Sequence, residues 1–290
     1  MTLSEALWSA SRTLSTARID DAAIEAELLL RHVLGISRAQ LYTEMERSLT
    51  SAEAKHLRRF VQRRLGHEPT AYILRRCEFY GIDFYIDHRT FIPRPETEIL
   101  VEKAIEFANH NPAHQLTVAE VGTGCGAIAI SLALALPKAK IYATDISASS
   151  LQVAEINCQR HEINSQVKLL QGNLLEPLPQ PVDLIVANLP YIKNRELKIL
   201  SPEITNFEPM IALAGGEDGL DKIQQMLEQI PRKLNYGGRF LLEIGQEQDK
   251  TVPLLINSYF PQADIELIPD LSGIDRVVSV ILEKGVRICK

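Results

Sequence analysis

The stretch EVGTGCGAIAI, residues 120–130, decides the fold. An acidic residue sits at the end of an apolar strand, glycines follow at Gly122, Gly124 and Gly126, and a helix-forming run starts at once. A glycine turn at the carboxyl end of the first strand is where open α/β sheets take ligands. The backbone must turn tightly there and let a ligand approach without a Cβ in the way. The spacing is GxGxG, not the GxGxxG of dinucleotide sites. Downstream, strands are expected at 116–121, 140–145, 166–171, 182–187, 238–244, 263–268 and 276–282. Helices are expected between them at 126–136, 148–161, 219–234 and 246–258. This alternation predicts an α/β fold with a doubly wound, mostly parallel seven-stranded sheet. Only a short loop separates the last two strands, so these are expected to pair antiparallel.

Upstream the period changes. Residues 3–66 read as helices. DDAAIEAELLLRHVLG is expected to open on a capping pair, Asp20 and Asp21, and to stop at Gly35. TSAEAKHLRRFVQRRLG has Thr50 or Ser51 as its cap and Gly66 as its stop. Trp8, among apolar neighbours on a first short helix, is expected in the core. CEFYGIDFYID, residues 77–87, alternates with period two around Gly81 like a hairpin. A proline-bracketed segment, FIPRPETEIL, then leads into a helix through Phe107. The expected organisation is a small helical domain over 1–76, a β-hairpin linker over 77–92 and a catalytic domain over 93–290.

Composition bounds the function. Apolar residues make up 46% and charged residues 23%, as in ordinary soluble domains. No apolar run approaches the roughly 20 residues that span a bilayer, and the N-terminus has no signal-peptide pattern. Cys77, Cys125, Cys158 and Cys289 form no CxxC pair, so neither zinc nor a disulfide framework is indicated. His110 and His114 are four apart, but Pro112 between them breaks the helix a metal pair would need. A cytoplasmic, metal-free protein that does not engage membranes is expected. Residues 1–90 carry 13 Lys/Arg against 12 Asp/Glu, and the remaining 200 carry 18 against 25. An acidic larger part counts against a nucleic-acid substrate. Lys55, Arg58, Arg59, Arg63, Arg64, Arg75 and Arg76 face only Glu68, either as a solvated helix face or as a docking patch for a partner.

The ligand of the glycine turn is a nucleoside. Asp145 ends the second strand of the sheet 19 residues after Gly126, where a carboxylate accepts both hydroxyls of a ribose. Glu120 separates two candidates: a pyrophosphate, as in NAD, is repelled by a carboxylate, whereas the sulfonium and ammonium of S-adenosylmethionine suit one. After the third strand Asn173 can bond the adenine edge and Leu174 can pack on its face. The fourth strand ends in LIVANLPYI, residues 184–192. As loop punctuation, Asn188-Leu189-Pro190-Tyr191 would be unremarked. Beside a methyl donor it acquires a purpose. A planar –NH2 on an sp2 carbon is a poor nucleophile because its lone pair is delocalised. Two acceptors, the Asn188 side-chain oxygen and the Leu189 carbonyl, would take one N–H each and aim the lone pair at the methyl group. Pro190 biases Leu189 toward extended angles, and Tyr191 offers a flat wall. No base must act before attack, so the chemistry is mostly positioning.

HEPTAYILRRCEFYGIDFYIDHRTFIPRPETEILVE, EVGTGCGAIAI, ANLPYI and SPEITNFEPMIALAGGEDGLD together resemble the bacterial peptide chain release factor N5-glutamine methyltransferases, the HemK/PrmC group. The likeness runs from about residue 20 through DLSGIDR at 270–276. It implies a Rossmann-like class I methyltransferase domain behind a helical N-terminal domain. It also implies release factors as partners and methylation of the glutamine in their GGQ loop, by a protein expected to be monomeric. On that pattern residues 122–126 (Gly122, Thr123, Gly124, Cys125, Gly126), Asp145, Leu174 and Asn188 contact cofactor, and residues 188–191 hold the amide. The group usually has Pro where this chain has Leu189. Asn-Leu-Pro-Tyr also resembles the ribosomal-RNA adenine dimethyltransferases, whose target is likewise a planar nitrogen. A sister enzyme acting on a ribosomal-protein glutamine, or an N6-adenine methyltransferase on rRNA or DNA, are the alternatives.

Overall fold

The computed structural model describes residues 1–111 and 115–282; Pro112, His114 and Cys289 lie outside them. The chain starts with α1 (Leu3–Thr16), α2 (Ala22–Leu34), α3 (Arg38–Thr43), α4 (Ser51–Leu65) and α5 (Thr70–Leu74), then a hairpin of β1 (Cys77–Phe79) and β2 (Ile82–Phe84). After α6 (Glu98–His110) the alternation sets in: β3 (Thr117–Val121), α7 (Ala127–Ala135), β4 (Lys140–Asp145), α8 (Ala148–Arg160), β5 (Val167–Gln171) and β6 (Val182–Ala187). It continues through α9 (Pro202–Phe207), α10 (Asp221–Lys233), β7 (Leu234–Glu243), α11 (Thr251–Tyr259), β8 (Asp264–Pro269) and β9 (Asp275–Ile281). Contacts group the chain into two compact units, Met1–Arg76 with Ser201–Phe207, and Cys77–Leu200 with Glu208–Lys290.

In the first unit, Thr2, Ser37 and Thr50 each begin a helix with a full capping box, which satisfies amide groups that would otherwise lack partners. Gly35 ends α2 in the left-handed region, φ 65°. Asp21 departs from expectation. Its own backbone is left-handed and its side chain makes no cap bond, because a capping carboxylate needs extended angles to reach the first-turn N–H groups. Trp8 also departs: it is 62% exposed, under the Arg12 guanidinium at 5.1 Å. Leu3, Ala6, Ala10 and Leu14 form the buried stripe of α1, and the helical period turns position 8 away from it. Arg64 is the third departure. It belongs to the Leu57, Phe60, Val61 stripe of α4, is 2% exposed, and pairs with Glu25 and with Glu203 of α9. It is therefore part of no solvated face.

In the second unit the sheet runs β5-β4-β3-β6-β7-β9-β8, parallel up to β7, with β9 antiparallel to both neighbours. The central strands are buried on both faces, as parallel strands covered by helices must be. Alternate residues therefore serve two cores. Val118, Leu184, Val186 and Leu241 join one with Phe79 and Phe84 of the hairpin. Ala119, Val121, Ile185, Ala187 and Leu242 join the other with residues of α10 and α11. The winding reverses between β3 and β6, where Val121 pairs Ala187. Open sheets form their ligand crevice at such a switch point, and here it brings the glycine turn and residues 188–191 together.

Candidate active site

At that crevice Gly122 and Thr123 both donate their N–H to the Thr144 carbonyl at 2.9 Å, tying the turn to the neighbouring strand. Asp145 accepts the Gly124 N–H on Oδ2 at 2.9 Å and the Ser147 N–H on Oδ1 at 2.8 Å. Burial raises its pKa above the usual carboxylate value. Glu120 is buried at the foot of the turn, its Oε2 accepting from the Thr123 hydroxyl at 2.5 Å and the Ala129 N–H at 3.0 Å. Desolvation pushes its pKa up to about 8. All the residues expected in the site line one cavity except Gly126. Among the described residues Gly126 instead caps α7 at φ 87°, where a Cβ would lie 3.0 Å from Ile130 Cδ1.

Residues 188–191 are held by the segment that follows α9. The Ile192 N–H donates to the Leu213 carbonyl at 3.1 Å, and the Gly215 N–H donates to the Ile192 carbonyl at 2.8 Å. A Cβ at Gly215 would sit 2.7 Å from Tyr191 Cα and 2.8 Å from the Pro190 carbonyl oxygen. Gly219 approaches as closely, its Cβ position 2.3 Å from the Tyr191 carbonyl oxygen. Tyr191 packs its ring on Gly245, and burial lifts its pKa to about 12, so the ring is a neutral wall. Leu189 is 3% exposed and reaches the Gly122 position, 3.6 Å from where its Cβ would be. The Asn188 amide Nδ2 donates to Thr97 Oγ1 at 3.1 Å, which leaves Oδ1 as its acceptor.

Reading residue types left out several groups that shape the cavity. Thr97, Phe91 and Pro93 line it from the segment before α6. Glu208, buried, accepts from the Ile92 N–H at 3.2 Å and pairs with Arg94, whose guanidinium also lies 4.6 Å from the Phe91 ring centre. The signal for these was present only as the FIPRPET and FEP motifs of the resemblance, without a physical role. No single residue type marks a wall built from segments 114 positions apart.

Residues 5–74 match the model of the PrmC N-terminal domain, and residues 112–259 match a methyltransferase domain. The release factor glutamine methyltransferase of Chlorobaculum tepidum is 35% identical over 294 residues, 96% of this chain and 99% of that protein. That of Geobacter sulfurreducens is 38% identical over 286 residues, covering 96% and 98%. The chain belongs to the release factor glutamine methyltransferase family. A methyltransferase from Pyrococcus furiosus, 16% identical, has a TM-score of 0.51 over 70% of this chain and 90% of that one, a likeness of fold alone. The family member described here is an S-adenosylmethionine-dependent protein-glutamine methyltransferase with a Rossmann-like, mostly parallel seven-stranded sheet. Around the glycine turn the cavity is lined by Glu120, Asp145, Asn173 and Leu174. Among the described residues no helix is long and apolar enough to cross a membrane.

Proposed function

We propose that Asn188 and the Leu189 carbonyl hold the glutamine amide of the release factor GGQ loop, against Tyr191, and that Glu120, Gly122, Thr123, Gly124, Cys125, Asp145, Asn173 and Leu174 hold the methyl donor. The observation that carries this reading is the Asn188 amide. With Nδ2 committed to Thr97, its oxygen is the group available to a substrate N–H at the cavity. Bound S-adenosylmethionine supplies an electrophilic methyl group on a sulfonium. The protein's own work is geometric. Asn188 Oδ1 and the Leu189 carbonyl each accept one amide N–H and fix the plane of the group, and fixing that orientation lowers the barrier to attack. Tyr191, neutral and backed by Gly245, limits tilt of the plane. The acidic balance of residues 91–290 supports a protein substrate over a nucleic acid, acted on in the cytoplasm by a monomeric enzyme.

The test is methylation with labelled S-adenosylmethionine of a release factor, a ribosomal protein and ribosomal RNA in parallel. Label is expected on the release factor glutamine alone. Replacing Asn188 with Ala is expected to lower kcat by on the order of 10²–10³, since one preorganised acceptor is lost. Label on the RNA, or a mild Asn188→Ala effect, would overturn the assignment.

A further inference from the structure

Asn188 is useful only if its oxygen, and not its nitrogen, faces the substrate. An amide can be turned over at little steric cost, so something must fix its sense. Its Nδ2 donates to Thr97 Oγ1 at 3.1 Å. A hydroxyl is indifferent by itself, because it can accept from Nδ2 or donate to Oδ1. The sense must come from the group behind it.

That group is at the end of β7. Ala187 pairs Leu242 across β6 and β7, so Asn188 and Glu243 stand side by side one step beyond, on the sheet face that carries Leu184, Val186 and Leu241. Glu243 is 3% exposed, and its Oε2 is buried without a hydrogen-bond partner. Thr97 and Asn188 line the cavity and Glu243 does not, while the side chains of Thr97 and Asn188 both hydrogen-bond toward its carboxyl. An acceptor-only carboxylate in that place has two effects on its neighbours. It draws the Thr97 O–H toward itself, leaving the hydroxyl oxygen to accept, and it repels Asn188 Oδ1. Both favour the sense in which Nδ2 points inward and Oδ1 points to the cavity.

We propose that Glu243, through Thr97, is a positioning residue that sets the sense of the Asn188 amide and so presents its oxygen to the substrate N–H. This rests on the assignment of Asn188 as the acceptor for the glutamine amide. The surroundings make the effect dependent on pH. Desolvation pushes the Glu243 pKa up to about 7, against hydrogen bonding from Thr97 and Asn188 and the attraction of Arg276 on β9, with Glu96 before α6 adding to the rise. Arg276 is itself shared with Asp270 at 3.3 Å, and Tyr191 is neutral beside the group. Below that pKa the carboxyl carries a proton, the hydroxyl can donate to Oδ1, and the amide loses its bias. Activity is therefore expected to fall as pH drops through about 7.

The experiment measures kcat, KM for the release factor and calorimetric cofactor affinity from pH 5.5 to 9 for wild type, Glu243→Gln, Thr97→Val, Thr97→Ser, the Glu243→Gln/Thr97→Val double variant and Asn188→Ala. Glu243→Gln and Thr97→Val are each expected to lower kcat roughly 10- to 100-fold at pH 8, the scale of a misplaced reacting group. KM and cofactor affinity should stay within about twofold, and Thr97→Ser should recover most of what Thr97→Val loses. The acid limb of the wild-type profile should vanish in Glu243→Gln. The double variant should be no worse than the poorer single one, since the two act in series. Multiplied losses in the double variant, an unaltered acid limb, or a near-normal kcat in both single variants would overturn the proposal. If Glu243→Gln does not fold, the Thr97→Val and Thr97→Ser pair decides by the same criterion. A mild Asn188→Ala would instead sink the underlying assignment, which the other variants leave standing.

Discussion

Two glycine-rich stretches meet at this cavity and need glycine for different reasons. At Gly124, φ is 56° and a Cβ would meet nothing within 4 Å, so the requirement is backbone conformation. At Gly215 φ is ordinary, but a Cβ would lie 2.7 Å from Tyr191 Cα, so the requirement is room. Strain in the first case is a local cost spread over a turn that faces open space. Collision in the second pushes directly on the backbone of Pro190 and Tyr191. The glycine-turn edge of the cavity is thus tolerant in position and demanding in backbone angle, and the edge at residues 188–191 is the reverse.

Gly215→Ala is the strongest way to break that contrast. It is expected to shift the Tyr191 backbone and reduce kcat on a release factor by about 10², with calorimetric cofactor affinity nearly unchanged. Gly124→Ala should do less: a left-handed alanine costs about 1–2 kcal/mol, read as a lower denaturation midpoint, with kcat reduced by less than in Gly215→Ala. The opposite ranking would mean that room, not angle, governs the glycine turn. Leu189→Pro is the mildest expected change in catalysis. If the carbonyl alone matters, kcat should stay within a few-fold of wild type. The buried leucine side chain beside Gly122 is lost, however, and melting should fall by the equivalent of about 2 kcal/mol. A large loss of kcat with no loss of stability would show that residue 189 works through its side chain.

The parts read from sequence and the parts missed divide along physical lines. The strands β3 to β9 fall within a few residues of their expected positions; burial on both faces leaves the central ones as long apolar runs that turn signals bound sharply. The antiparallel β8–β9 pair followed from loop length alone. The sequence left the cap of α4 open between Thr50 and Ser51; it is Thr50, whose partner Glu53 is three residues away. What failed depended on the far chain. Arg64 looked like one more exposed cation until Glu203, 139 residues on, supplied its second partner. Glu243 lay unremarked in the strand expected at 238–244, and Thr97 in the proline-bracketed segment FIPRPETEIL. Only the pairing of β6 with β7 puts them beside Asn188. A charged residue ending an apolar strand was the available signal.

The order of strands has a consequence for the making of the protein. Because β9, not β8, lies against β7, the neighbour of Glu243 in the sheet, Val277, leaves the ribosome after every residue that lines the cavity. A nascent chain stopped at residue 270 would carry every cavity-lining residue and still present β7 as a bare edge, open to pairing with other chains. It would also lack Arg276, the cation that favours ionisation of Glu243. Synthesis of the chain therefore places the glycine turn, Glu120, Asp145 and residues 188–191 well before the strand that lies against β7 and carries Arg276.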